Sequence, residues 1–506
     1  MSKNHRLSRY FLAMLFALSL VFAQSVWAQD EKKDDKEKSE VKKEEKSEKK
    51  EEKKEEKKDD KTVVKNTAKG RLPVILIPGL IGSELVNKNN NDKVWFDLNR
   101  AKDDDLRLPV SPNLKANRDN LVAVDIIREI QLIKFTPKVE VYQKLIENLQ
   151  ADGFTEAKID FPAAGGDADT FYVFPYDWRL DNVENARLLL EKLDNLRVKL
   201  NRPDLKFNVI AHSMGGLITR YAAMYGKADL TSRAARPTWK GASYFNTISL
   251  VAVPNAGATG ALDSMINGFS LFGSGKLNLP FVQNLSRADL FTIPSIYQLL
   301  PHAGTARIFD ENLKPMKVDL YNPATWDKYG WSVYLDADFT KKFDAAEQAQ
   351  AKAYFRAVLL RAKQFQAALD AGSSGKIPVP VYYLGAECRQ TLDGMIIRRD
   401  AEKNVWKTEF GAASYTNSRG VKVTKEETEK VLLSPGDGVV PKRSLLATFL
   451  RIGNAKNANS SVILNSAPDS CAEHNRLTGN ETVSKNLLNI LNGSGIEATT
   501  AAQVVK

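Results

Sequence analysis

Histidine and cysteine are both scarce in this sequence, and each shortage removes whole classes of chemistry. Among 506 residues there are four histidines and two cysteines. Two cysteines cannot supply an all-cysteine zinc centre or a scaffold of several disulfides. Cys388, Cys471 and His474 lack a ligand spacing such as C-x2-C, so no metal is expected. Gly79-Leu80-Ile81-Gly82 has neither the third glycine nor the later acid of a dinucleotide fingerprint, so no cofactor is expected either. The formal net charge is +11, yet no recognised nucleic-acid module accompanies it, and no nucleic-acid partner is expected. No internal repeat stands out, and oligomeric state is not legible.

Long apolar runs are missing as well. The N-terminus carries Lys3, Arg6 and Arg9 and then an apolar run from Tyr10 to Ala23, short of the roughly 20 residues that cross a bilayer. Val26-Trp27-Ala28 suits signal peptidase, so residues 1–28 are expected to be a signal peptide, with export to a periplasmic or extracellular space. Residues 29–68 are expected to be a charged low-complexity tether. Between 30 and 61 there are 14 lysines and 15 acids, and the like charges of Glu51-Glu52 and Glu55-Glu56 fall four apart, which repels in a helix. The rest of the chain then holds roughly nine positive charges, which favours an anionic membrane surface or serves only as diffuse solubilising charge. In an exported chain Cys388 and Cys471 are expected to pair, two buried thiols being the alternative.

What is present is a strand that turns into a helix through a serine. Phe207-Asn208-Val209-Ile210-Ala211-His212-Ser213-Met214-Gly215-Gly216 reads as a nucleophile elbow, whose strained bend tolerates only small neighbours where strand and helix nearly touch. A serine there needs an imidazole to take its proton and a carboxylate to orient that imidazole. Scarcity makes the choice short. His5 lies in the leader, His212 is inside the elbow, and His302 has no acid placed before it in an obvious loop. His474, just ahead of a helical pattern from Val483 to Leu491, is therefore the expected base. Asp437, in Ser434-Pro435-Gly436-Asp437-Gly438-Val439, is the expected orienting acid. Leu72 to Ile77 is an apolar strand broken by Pro78-Gly79, so the Leu80 and Met214 N–H groups are the expected oxyanion donors. An imidazole base predicts turnover that falls on acidification.

Short apolar runs alternating with amphipathic segments indicate a mostly parallel sheet flanked by helices. Strands are expected near 73–77, 171–175, 207–211, 246–253, 379–384 and 460–464. A helix from Asp181 is expected to open with an Asp181–Glu184 capping box. Trp178 and Arg179 are expected to pack under the sheet, lining an acyl pocket being the alternative. Residues 69–496 form the main domain, with lid insertions near 86–140 and 255–375 and a flexible tail at 497–506. Phe269, Leu271, Phe272, Leu277, Leu279 and Phe281 suit an apolar flap, a cap with its own small core being the alternative.

The segments Pro73 to Leu85 (PVILIPGLIGSEL), Phe174 to Arg179 (FPYDWR), the Ser213 elbow, Pro294 to Pro301 (PSIYQLLP), the Asp437 loop and His474 resemble, in that order, the lecithin:cholesterol acyltransferase family. The PGLIGSEL form is like its bacterial members rather than the plasma enzyme. The resemblance implies an α/β-hydrolase fold with a lid and an acyl-serine intermediate formed from lipid acyl esters such as phospholipid. It also implies a lipid partner at a membrane or micelle interface, with peripheral membrane contact. Transfer to an alcohol and hydrolysis by water both stay open. So do a non-lipolytic soluble carboxylesterase and a non-catalytic envelope-binding protein that kept the fold.

Overall fold

Val74-Ile75-Leu76-Ile77 forms a strand buried on both faces, as a continuous apolar run requires when helices cover both sides of a parallel sheet. The computed structural model describes residues 70–96, 105–130, 139–231, 236–269, 285–302, 304–372, 377–400, 403–452, 460–466 and 471–494. All of them belong to the unit Lys69–Lys506. The leader 1–28, the tether 29–68, the tail 497–506 and the flap residues Leu271, Phe272, Leu277, Leu279 and Phe281 lie outside the described residues.

Seven strands make the central sheet: β1 (Val74–Ile77), β2 (Thr155–Ala157), β3 (Thr170–Val173), β4 (Phe207–His212), β5 (Phe245–Val251), β6 (Val381–Ala386) and β7 (Ser460–Asn465). They lie in the order β7-β6-β5-β4-β1-β3-β2, with every pairing parallel. The chain runs outward from β1 to one side and then returns to build the other, so the switch point falls between β1 and β4. Open α/β sheets place their sites outside the carboxyl ends of the strands at such a point. Six of the strands are those the apolar runs predict. The seventh, β2, is Thr-Glu-Ala at the sheet edge with no buried residue, so it carries no apolar signal.

Alternate residues of each strand enter different layers. Ile75, Ile77, Val209 and Ala211 join the core shared with helices α2 (Asn182–Lys199), α3 (Met214–Tyr225) and α4 (Ala345–Leu369). Val74, Leu76 and Ile210 join the one shared with α1 (Gln143–Ala151) and α5 (Glu481–Leu491). This is the three-layer solution for a doubly covered parallel sheet.

Asp181 caps α2 by accepting from Val183 N–H at 2.7 Å, but the expected reciprocal contact from Glu184 does not form. Glu184 pairs instead with Arg118, because a guanidinium holds a carboxylate more strongly than a neutral amide does. Trp178 and Arg179 are fully buried, the guanidinium locked by Asp177 at 2.8 Å and Asp119 at 2.5 Å. The stretch 86–140 contains strands Lys93–Trp95 and Leu121–Ile126, antiparallel to Ser83–Asn87. Within 255–375, Phe291, Tyr297, Trp326 and Phe355 meet ring to ring, and their core is continuous with that of the sheet. α4 is fastened to the elbow helix through Tyr225 Oη to Ala368 O at 2.8 Å and Arg220 to Leu369 O at 2.8 Å.

Candidate active site

Ser213 sits between the end of β4 and the start of α3 with φ 51° and ψ −126°, a conformation that costs a non-glycine residue about 1–3 kcal/mol. Its amide donates to Val251 O at 2.8 Å, which holds the bend against β5. The small neighbours are a steric necessity. A Cβ on Gly215 would lie 2.3 Å from Pro78 O, and one on Gly216 would lie 2.1 Å from Val253 Cγ2. Gly79 is equally constrained from the other side, since its Cβ would come within 2.8 Å of Ser213 Cβ.

His474 and Asp437 converge on this serine from segments more than 220 residues further along the chain. His474 Nε2 lies 2.9 Å from Ser213 Oγ, and His474 Nδ1 lies 2.8 Å from Asp437 Oδ2. The other carboxylate oxygen accepts from Val439 N–H at 2.9 Å and Val440 N–H at 2.7 Å. His474 N–H also donates to the Asp437 carbonyl at 3.1 Å. Burial pushes the Asp437 carboxyl up, but the His474 imidazole and the two amides outweigh it and hold it below the ordinary carboxylate range. An ionised Asp437 fixes the imidazole with Nδ1–H toward itself and a bare Nε2 toward Ser213. His302 is elsewhere: its Nε2 is 2.8 Å from Asp370.

The loop Pro78–Gly82 packs against this serine through Gly79, and its hydrogen bonds show which of its amides are free. Pro78 O accepts from Tyr176 Oη at 2.9 Å, Gly79 N–H donates to Tyr142 Oη at 2.8 Å, and Gly79 O accepts from Gly82 N–H at 3.2 Å. Ile81 O accepts from Trp95 Nε1 at 2.9 Å, and Gly82 O from Ile127 N–H at 2.8 Å. Leu80 N–H and Ile81 N–H donate to no group among the described residues, and neither does Met214 N–H at the start of α3. A loop restrained at Pro78, Gly79, Ile81 O and Gly82 holds such donors in place. The two most specific sequence segments therefore clamp one another, for Tyr176 of FPYDWR also donates its amide to Ser83 Oγ of PGLIGSEL at 3.1 Å.

Two residues at this site carry no assignment from the sequence. Tyr142 Oη lies 2.9 Å from His212 Nδ1, and His212 Nε2 lies 3.0 Å from the carbonyl of His474. His212 was visible within the elbow, but Tyr142, 70 residues upstream, has no local signal pointing to it. Burial, and secondarily the nearby His474, push the His212 ring down to about 3 from its ordinary 6.5. Between those values the unfolded chain takes up the proton and the folded one does not, so stability falls as pH drops through that window. From pH 6.5 to pH 5 the loss owed to His212 is about 2 kcal/mol. Urea unfolding at the two pH values is expected to show it, and His212→Gln to abolish that share of the loss. Asp437 acts in a lower window, its contribution being present above the ordinary carboxylate range and lost as pH falls through its depressed value.

Cys388 and Cys471 are joined, with 83 residues of separation. Cys388 immediately precedes strand Arg389–Leu392, which pairs with Leu433–Gly436, the strand that ends just before Asp437. Cys471 lies three residues before His474. One covalent bond thus ties the strand pair that leads to Asp437 to the loop that carries His474. Closing a loop of this size stabilises by about 4 kcal/mol on the chain-entropy estimate, less any strain. Reductant is expected to lower the urea midpoint and to slow ester turnover, while a paired Cys388→Ser, Cys471→Ser variant no longer responds to reductant. An unchanged midpoint on full reduction would remove the disulfide from this account.

A family model for lecithin:cholesterol acyltransferase matches residues 83–346. That span includes the elbow and stops before Asp437 and His474, whose placement rests on the geometry above. The lecithin-cholesterol acyltransferase-like 4 protein of Arabidopsis thaliana is 28% identical over 256 residues, covering 45% of this chain and 42% of the plant protein. The chain thus aligns with less than half the length of that relative. A crystal structure of a Tle4–Tli4 complex contains a chain 15% identical with a TM-score of 0.50, covering 83% of this chain and 98% of its own. The mature lipase BlEst2 of Bacillus licheniformis is 9% identical with a TM-score of 0.31, over 83% and 92% of the two chains. The sheet order, the elbow and the family match over more than half of the sequence lead to one assignment: this chain is an α/β-hydrolase-fold member of the lecithin:cholesterol acyltransferase family.

Proposed function

We propose that this protein is an exported serine acyltransferase or lipase that takes an acyl group from a lipid ester, such as a phospholipid, through an acyl-serine intermediate. The observation that carries the reading is the unbroken hydrogen-bonded line from Asp437 through His474 to Ser213. Ser213 Oγ attacks the ester carbonyl carbon as His474 Nε2 takes the hydroxyl proton, and the carbonyl oxygen becomes an oxyanion held by Leu80 and Met214 N–H. Collapse breaks the ester C–O bond, and the imidazolium returns its proton to the departing alkoxide. Acyl-Ser213 is then attacked by water or by an alcohol, with His474 again taking the proton. Asp437 stays ionised throughout and holds the ring.

Family membership supports a lipid as the acyl donor, and the disulfide supports an oxidising compartment. The basic balance of the chain suits an anionic lipid surface. The test is product analysis on mixed phospholipid vesicles, with and without an added long-chain alcohol. Free fatty acid and lysolipid are expected without the alcohol, and the alcohol's fatty ester appears if transfer competes with water. Turnover of soluble short-chain esters with no rate increase on micelles would replace this reading with a soluble carboxylesterase. No labelling of Ser213 by a fluorophosphonate would replace it with a non-catalytic binding protein.

A further inference from the structure

The oxyanion loop, the elbow and the base loop come from three distant stretches of chain, and side chains of Tyr142 and His212 run between all three. Gly79 N–H donates to Tyr142 Oη at 2.8 Å, Tyr142 Oη meets His212 Nδ1 at 2.9 Å, and His212 Nε2 meets His474 O at 3.0 Å. The proton positions follow from the ends of this line. A carbonyl only accepts, so His212 Nε2 carries hydrogen. The neutral ring then leaves Nδ1 bare, and Tyr142 donates to it while accepting from Gly79. Both side chains are buried, at 1% and 4% exposure, so water cannot replace a lost partner.

We propose that Tyr142 and His212 are positioning residues that aim the Leu80 N–H at the oxyanion and hold the His474 loop in register with Ser213. The proposal rests on the functional reading above and names what keeps that site aligned. Every other hydrogen bond of Pro78–Gly82 among the described residues comes from outside the elbow, whereas this line ties the loop to the residue next to Ser213 itself. His474 is pinned at both backbone atoms, its N–H by the Asp437 carbonyl and its C=O by His212. Burial keeps the Tyr142 hydroxyl protonated, well above the ordinary phenol range, and keeps His212 neutral, so neither link switches at working pH. Removing the hydroxyl leaves the Gly79 amide buried without an acceptor, and the loop turns to satisfy it. That rotation moves Leu80 N–H off its target. Such a defect acts on the transition state, where charge develops on oxygen, and spares ground-state binding.

The test compares Tyr142→Phe with wild type on a soluble p-nitrophenyl ester, in fluorophosphonate labelling of Ser213, and in thermal melting. Expected for Tyr142→Phe are a kcat lower by about tenfold or more, a KM within twofold, labelling slowed by a similar factor, and a melting temperature lowered by several degrees with the fold intact. His212→Gln carries the same expectation, because its amide NH2 still reaches the His474 carbonyl while the Nδ1 acceptor is gone, and it serves if Tyr142→Phe does not fold. The double variant is expected to be no slower than the worse single one, since both cut the same line. Wild-type kcat in folded Tyr142→Phe, or a rise in KM with kcat unchanged, overturns the proposal alone. Wild-type protein that neither labels at Ser213 nor turns over ester overturns the functional reading and this proposal with it.

Discussion

Ser213→Ala is expected to abolish ester turnover while leaving the fold and its melting temperature essentially unchanged. The hydroxyl has one partner in the structure, His474 Nε2 at 2.9 Å, and it does not cap α3, whose first amides it leaves alone. Removing it therefore costs at most one partly exposed hydrogen bond, about 1 kcal/mol. Chemistry suffers far more. Without Oγ no acyl-enzyme forms, and what remains is water attack assisted by the amides and by substrate binding, lower by about four to six orders of magnitude. The measurement is ester turnover together with fluorophosphonate labelling and a thermal melt on the same preparation. Full activity in Ser213→Ala would move the nucleophile to another residue; an inactive but also unfolded variant would show that the strained bend needs the serine for stability.

The elbow was legible because its constraint is local and steric. Strand, serine and helix are contiguous, and the clearance of 2.3 Å at Gly215 and 2.1 Å at Gly216 permits one residue type, which the sequence displays directly. His474 was legible for a different reason, the scarcity of histidine, which left a choice among four, and Asp437 because it lies on a Pro/Gly-bounded loop between the serine and that histidine. Neither argument reaches Tyr142. It enters the site through tertiary packing of α1 under the sheet, and a tyrosine opening an amphipathic helix reads as core from sequence alone. The same limit explains Glu184: local spacing predicted a capping box, and Arg118, 66 residues away, took the carboxylate.

Sheet strands followed the same rule. β1 and β4 are buried on both faces and stand out as apolar runs. β2 has its pairing from β3 alone, has no buried side chain, and left no mark in the hydrophobic pattern. The segments PGLIGSEL and FPYDWR were recognisable as specific sequences before any reason for their specificity was visible. Their reason is mutual restraint. Tyr176 holds the Pro78 carbonyl and is held by Ser83, so each segment restrains the loop that carries Leu80. Pro294 to Pro301 adds a third point of contact, since Gln298 Oε1 accepts from Asn182 N–H at 2.9 Å, at the start of the helix that follows FPYDWR.

His474→Ala should be as damaging as loss of the serine, and His302→Ala should leave kcat within about twofold, although both histidines face an aspartate at 2.8 Å. The difference lies in what else each imidazole meets. His474 Nε2 faces Ser213 Oγ, and without it no group stands ready to remove the serine proton or to return it to the leaving alkoxide, a loss of about four to six orders of magnitude in kcat. His302 is buried just after Leu300-Pro301 and pairs with Asp370 at the end of α4, so its removal acts on packing and costs about 1–3 kcal/mol of stability. Steady-state kcat and urea midpoints on the two variants separate the cases. Small added imidazole offers a second reading, since the cavity left by His474→Ala can admit it and partial recovery of turnover identifies the missing group as a base. Recovery in His302→Ala, or a kcat loss there without a shift in the urea midpoint, would place the base at His302 and strip Asp437 of its role.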